Sequence, residues 1–162
     1  MTSAHSDTLV VFGATGDLAH KMIFPALAHL SKRDKLNVPV VGVALPDWSL
    51  EQFRDRVKDS ISRAGGIDDH AALDRLLSLV RYVSGNYNDP ATFTRIKEAL
   101  GDATRPAYYL AIPPSLFGTV ITGLGEAKLA ENARVIVEKP FGRDLASARE
   151  LNSVARSVFQ EE

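Results

Sequence analysis

Five short apolar runs, each followed by a segment of helical spacing, constrain this chain more than any other feature. They are LVVFG at residues 9–13, VPVVGVAL at 38–45, RYVSG at 81–85, RPAYYLAIPP at 105–114 and ARVIVEKP at 133–140. The first two, continuous and apolar, fit strands buried on both faces as in a parallel sheet, and the other three read as further strands. Between them, Ser49 with Gln52 three residues on makes a capping box, and Phe53, Val57 and Ile61 follow as a helical stripe. Gly65 and Gly66 break that helix. Residues 70–80 predict another helix, and Asp89 followed by Pro90 marks the start of the next. Residues 115–129 and 144–159 predict two more, the last capped by Asp144. Strand and helix alternate throughout, which predicts an α/β fold, a doubly wound parallel sheet of the Rossmann-like dinucleotide-binding type.

At 162 residues the chain suits one domain, with residues 1–8 as a loose polar tail and 9–162 as the folded unit. The net charge of −1, with both signs interspersed, gives no basic stripe for nucleic acid or for a membrane surface. No apolar run reaches membrane-spanning length. The chain has no cysteine, which removes disulfides, thiolate nucleophiles and cysteine metal sites and is compatible with the cytoplasm.

The first strand runs into VVFGATGDLAHKMIFPAL, Val10 to Leu27. Leu18, Met22, Ile23, Leu27 and Leu30 keep helical spacing from Asp17 onward, and Pro25 is expected to bend that helix or leave its first turns irregular. Gly13, Gly16 and Ala19 stand in G-x-x-G-x-x-A spacing, with Thr15 where the usual fingerprint has its second glycine. A helix N-terminus there offers unpaired N–H groups to a pyrophosphate. The alternative is a glycine turn that only starts a helix, and the strand-to-helix position favours the phosphate. Asp17 would repel a pyrophosphate, so it is expected to turn away and brace the loop. His20 and Lys21 are either solvated first-turn residues or phosphate contacts.

The other strand ends gather at the same rim. The second ends at Leu45, Pro46 and Asp47, where a carboxylate would accept from a ribose 2′-OH and an arginine would hold a 2′-phosphate. Leu45 does neither. Asp47 is either a turn residue or a weak pointer to NAD. Pro113 and Pro114 stop the fourth strand in a rigid exit loop. Glu138 and Lys139 follow the fifth, either as a mutual surface pair or with the ammonium offered to a ligand.

VVFGATGDLAHKMIFPAL, YYLAIPPSLF and RVIVEKPFGRDLASARELN together resemble the N-terminal, coenzyme-binding part of the glucose-6-phosphate dehydrogenase family. The resemblance spans nearly the whole chain. It implies oxidation of glucose 6-phosphate at C1 to the lactone, with NADP as the coenzyme, in the oxidative pentose phosphate pathway of the cytoplasm, by a homo-oligomer. It implies a dinucleotide loop of Gly13, Ala14, Thr15, Gly16, Asp17, Leu18, Ala19 and His20. It puts Asn86 and Tyr87 near the adenosine half and Ile112, Pro113 and Pro114 along the coenzyme cleft, with Phe117 where relatives often carry Tyr. Lys139 matches the lysine that touches both coenzyme and sugar phosphate, and Pro140 the proline that sets it.

Two departures bear on the coenzyme. Leu45 stands where the family usually has an arginine for the 2′-phosphate, and HKM replaces a lysine-rich run. Weakened NADP discrimination and some use of NAD are therefore expected. The family's later histidine-bearing motifs have no counterpart here, and His5, His20, His29 and His70 match none of them. No residue is then available as the base for the C1 hydroxyl proton, so residues 1–162 are expected to be an inactive fragment of the enzyme. A stand-alone nucleotide-binding regulator and a related sugar oxidoreductase are the alternatives.

Overall fold

The computed structural model describes residues 7–33, 38–66 and 69–137. Five strands, β1 (Thr8–Phe12), β2 (Val40–Ala44), β3 (Val80–Ser84), β4 (Pro106–Leu110) and β5 (Arg134–Val137), form one sheet. Its order is β3-β2-β1-β4-β5 and every pair is parallel. Phe12 lies beside Val43 on one side and Leu110 on the other, so β1 ends level with both neighbours. The chain moves outward from β1 to β3, then crosses to β4. The switch between β1 and β4 follows from that order, and it is where such sheets open a crevice at their carboxyl edge.

Among the described residues five α-helices cover the sheet: α1 (Phe24–Lys32), α2 (Leu50–Arg63), α3 (His70–Leu79), α4 (Pro90–Leu100) and α5 (Phe117–Glu126). Alternation along each strand divides the core. Val10, Phe12, Val41 and Val43 pack with α4 and α5 around Phe93, Ile96, Val120 and Leu124. Val11 and Val40 pack with α1, α2 and α3 around Phe24, Phe53, Val57 and Leu76.

Local chemistry explains most helix ends. Ser49 Oγ accepts from Gln52 N–H at 3.1 Å and Gln52 Oε1 accepts from Ser49 N–H at 2.8 Å, closing the capping box at α2. Asp89 caps α4 through Ala91 N–H at 3.0 Å, with Pro90 next in the chain. Helix α2 ends before Gly65 and Gly66, which adopt φ of +111° and +77°.

Pro25 takes effect as expected, in a specific form. A π-helical turn, Ala19–Ile23, precedes α1, and Phe24 N–H reaches back to Ala19 C=O. A proline ring clashes with the carbonyl four residues before it and donates nothing, so a widened turn accommodates it. The His20 carbonyl thereby loses its helical donor. The buried Ser60 of α2 supplies one through its hydroxyl. The widened turn also shifts the buried face. Ala19, Ile23, Phe24, Leu27, Ala28 and Ser31 are buried, whereas Met22 and Leu30, expected on that face, are exposed.

Two further boundaries differ from expectation. Thr8 belongs to β1 and is buried, and both oxygens of the Asp7 carboxylate accept backbone N–H bonds, from Thr104 at 2.7 Å and Arg105 at 2.9 Å. The ordered chain therefore starts before residue 9. Strand β2 stops at Ala44, which leaves Leu45 beyond it. The helix expected at 144–159 lies outside the described residues.

Gly42 in β2 marks a close approach. A Cβ there would stand 2.5 Å from the Phe53 ring and 2.9 Å from the Ala14 methyl. Gly42→Ala is expected to destabilise the fold by about 1–3 kcal/mol through overpacking, read as a lowered urea midpoint.

Candidate coenzyme site

The turn from β1 into the π-helical segment is held from three sides. Gly13 sits at φ +80°, and a Cβ on it would lie 2.2 Å from the Ala111 carbonyl oxygen and 2.9 Å from Ile112 Cγ2. Only glycine fits between that backbone and the turn. Its N–H is shared between the Val43 carbonyl at 2.9 Å and the Tyr87 hydroxyl at 2.8 Å. Ala14 N–H also goes to Val43 C=O, at 3.2 Å. Gly13 and Ala14 thus spend their donors on the scaffold.

The next residues do not. Gly16 has no positive φ, and a Cβ there would meet only the Gly13 carbonyl oxygen, at 3.3 Å. That one backbone contact is tight, but beyond its chain neighbours no other atom of the described residues lies within 4 Å of the position, so the exposed side of Gly16 suits the approach of a ligand. His20 N–H is the first to donate back along the helix, to Gly16 C=O at 3.1 Å. Ahead of it, the N–H groups of Asp17 and Leu18 have no acceptor among the described residues and lie at residues with accessible surface. Such a helix start carries about half a positive charge and presents N–H groups to an anion. Open space, free donors and positive potential together fit a pyrophosphate. Ala19 is fully buried against the β1 side of the sheet, as close helix–strand packing requires.

The flanking side chains depart from expectation in several ways. Asp17 is exposed and its carboxylate makes no hydrogen bond with a described residue, so it braces nothing there. His20 is not a solvated first-turn residue. Its Nε2 lies 2.8 Å from Asp59 Oδ2 of α2, and its side chain is only 12% exposed. Asp59 also accepts from Arg63 Nε at 3.0 Å. The hydrogen bond from His20, reinforced by Arg63, holds the Asp59 carboxyl below the ordinary 3.8. Lys21 is exposed and has no ion pair among the described residues.

Arg56 of α2 has no counterpart in the sequence-based expectations. Its Nη2 donates to the Thr15 carbonyl at 3.1 Å. Its Nε is buried without an acceptor, and it forms no ion pair among the described residues. A groove of about 410 Å³ opens here between Asp17, Lys21, Arg56 and Asp59. Nothing in local periodicity marks Arg56, since its partner lies 41 positions away.

At the rest of the rim, Leu45 is 68% exposed just beyond β2. Asp47 is exposed, and its Oδ1 accepts from Ser84 Oγ at 3.4 Å. Tyr82, under Trp48 and donating to Pro46 C=O at 2.5 Å, has its phenol pushed up to about 12, mainly by burial and further by Tyr87 and Asp47. Asn86 closes its own turn, its Oδ1 accepting from Asn88 N–H at 2.9 Å. Tyr87 packs its ring inward. Its ring stands edge-on to Phe12, with centroids 5.7 Å apart, and its hydroxyl lies 3.3 Å from Val43 C=O while accepting from Gly13. Burial raises its phenol pKa. Ile112 lies directly beside Gly13, Pro113 and Pro114 are exposed where a short 3₁₀ turn begins, and Phe117 is buried in the core. Glu138, Lys139 and Pro140 fall outside the described residues. Among the described residues no cluster could hold a metal ion, and no helix is long and apolar enough to cross a membrane.

A parallel sheet with its switch beside β1, and a glycine turn that opens a helix there, define a domain of the dinucleotide-binding class. The family described as glucose-6-phosphate dehydrogenase, NAD binding domain, matches residues 10–162, and the chain belongs to it. Over 157 residues it is 46% identical to glucose-6-phosphate 1-dehydrogenase 1 of Mycobacterium bovis, covering 97% of this chain and 34% of that protein. The Saccharomyces cerevisiae glucose-6-phosphate 1-dehydrogenase is 39% identical over 94% of the chain and 33% of its own length. The crystal structure of the Mycobacterium avium glucose-6-phosphate 1-dehydrogenase superposes with a TM-score of 0.91 at 46% identity, over 96% of this chain and 35% of that one. A glucose-6-phosphate dehydrogenase in complex with glucose 6-phosphate gives 0.82 at 36% identity, over 96% and 35%. The chain spans about a third of the length of these relatives.

The His20–Asp59 contact joins the coenzyme turn to α2. A carboxyl held below its unfolded value contributes stability above that value, which is lost as pH falls through the folded one. The stability gap between wild type and Asp59→Asn is therefore expected to be full at neutral pH and to close on acidification below 3.8. Urea denaturation of both proteins across that range measures it.

Proposed function

We propose that this chain is the coenzyme-binding part of a glucose-6-phosphate 1-dehydrogenase. On this reading it holds NADP, accepts NAD with reduced discrimination, and serves the oxidation of glucose 6-phosphate at C1 in the cytoplasmic pentose phosphate pathway. The observation that carries the reading is the exposed Gly16 next to the free N–H groups of Asp17 and Leu18. Family membership adds the chemistry to that geometry.

When bound, the coenzyme would supply the hydride acceptor for the sugar carbon. The residues of this chain bind and orient. Gly13 to Ala19 receive the pyrophosphate, and Ile112 with Pro113 and Pro114 walls the crevice on the β4 side. Lys139 is assigned to the coenzyme and the sugar phosphate through the family resemblance alone. Tyr87 acts from beneath, by fixing Gly13, and Asn86 shapes the loop that carries Tyr87.

Gly16→Val sets a branched side chain over the turn, with its Cβ 3.3 Å from the Gly13 carbonyl oxygen. It is expected to weaken coenzyme binding at least tenfold, about 1.4 kcal/mol, in isothermal titration. Equal affinity of wild type and variant would remove the pyrophosphate from this turn.

The exposed Leu45 leaves the end of β2 without a guanidinium. A charge-assisted, bidentate arginine–phosphate contact is worth roughly 1.5–3 kcal/mol, or about one to two orders of magnitude in affinity. Leu45→Arg is expected to strengthen NADP binding by that range and to leave NAD nearly unchanged. Titrating both coenzymes against both proteins gives the ratio.

A further inference from the structure

We infer that Arg56 of α2 supplies the cation that reads the 2′-phosphate of NADP, in place of an arginine at the end of β2. This rests on the proposed placement of the dinucleotide over the Gly13–Ala19 turn. In folds of this topology the ribose 2′ position lies over the end of the second strand, where an arginine accommodates the phosphate. Here that end carries the exposed, uncharged Leu45. The loop and the strand end are joined, because Gly13 and Ala14 both bond to Val43 C=O. Thr15, the next residue, therefore stands at the same corner of the rim. Arg56 reaches the loop at that residue, with Nη2 on the Thr15 carbonyl at 3.1 Å.

Charge bookkeeping around the groove singles Arg56 out. Asp59 is already engaged by His20 at 2.8 Å and by Arg63 at 3.0 Å. Asp17, the other acid of the groove, forms no ion pair with a described residue. Arg56 is half-buried, lacks an ion pair among the described residues, and has a buried Nε with no acceptor. One of its donors is engaged, while a guanidinium offers five in a fork that matches phosphate oxygens. Lys21 lines the same groove as an exposed point charge without that geometry. A half-buried guanidinium also loses less of its attraction to water and salt than a surface lysine does.

The test compares wild type, Arg56→Met and Arg56→Lys in equilibrium titrations with NADP, NAD, adenosine 2′,5′-bisphosphate and adenosine 5′-phosphate. The last two isolate the 2′-phosphate from the nicotinamide, and NAD binding reports whether each variant is folded. Arg56→Met is expected to lose tenfold or more in affinity for NADP and for the bisphosphate, with NAD and adenosine 5′-phosphate unchanged. Arg56→Lys is expected to fall between. Equal loss for all four ligands would make Arg56 a loop brace and overturn the inference. An unchanged NADP-to-NAD ratio would overturn it as well, with the coenzyme site intact. Wild type binding neither coenzyme would overturn the coenzyme reading itself, and the inference with it.

Discussion

Everything at the rim depends on the contact between Gly13 and the Ala111 carbonyl. A Cβ at residue 13 would stand 2.2 Å from that oxygen, so the two backbones touch where β1 and β4 end. The same residue gives its N–H to Val43 of β2 and to the Tyr87 hydroxyl from the loop after β3. One residue thus joins the ends of β1, β2 and β4 and the exit from β3. The turn that follows inherits its direction from that junction, because Ala14 is fixed to the same carbonyl. Pre-organisation of this kind lowers the ordering cost when a ligand binds.

The second constraint is Pro25, and it acts at a distance from its own position. Its missing N–H and its ring widen the preceding turn, and the widened turn strands the His20 carbonyl. Ser60 satisfies that carbonyl, and Asp59, its neighbour in α2, takes the His20 ring. A backbone defect in one helix therefore becomes a two-point attachment to another. Arg56 stands about one turn before Asp59 on α2, so the attachment also sets how high its guanidinium reaches. The groove between the two helices is a by-product of this docking.

Much of the fold was legible in the residues because its signals are local. The Ser49–Gln52 box, the Asp89–Pro90 start, the Gly65–Gly66 stop and the five apolar runs each work within a few positions. The glycine turn was legible for the same reason, as a strand-to-helix junction carrying Gly13 and Gly16, but the spacing did not show that Gly13 is packed against Ala111 while Gly16 is not. Contacts across long sequence separations were not. Tyr87 meets Gly13 across 74 positions and Arg56 meets Thr15 across 41, and no periodicity announces either. The inward packing of the Tyr87 ring on Phe12 is likewise a contact that no local pattern announces. Met22 and Leu30 were assigned to the core on an ideal α-helical period, which the π-helical turn does not keep.

The division of labour among the basic residues follows from burial. An exposed lysine can neutralise an anion, but water and salt screen it and its ammonium has no preferred direction. A half-buried guanidinium has the reverse properties, since its direction is fixed by packing and its screening is reduced. The cost is desolvation, which becomes heavy when a charge is left without a partner. Arg56 lowers that cost only in part, through the Thr15 carbonyl, and its Nε stays without an acceptor. Pairing with Asp59 would lower it further, but His20 and Arg63 already hold that carboxylate. The His20–Asp59 contact created by Pro25 therefore has an electrostatic consequence. By engaging Asp59, the acid of α2 that lines the groove, it leaves the neighbouring Arg56 guanidinium without a carboxylate partner among the described residues.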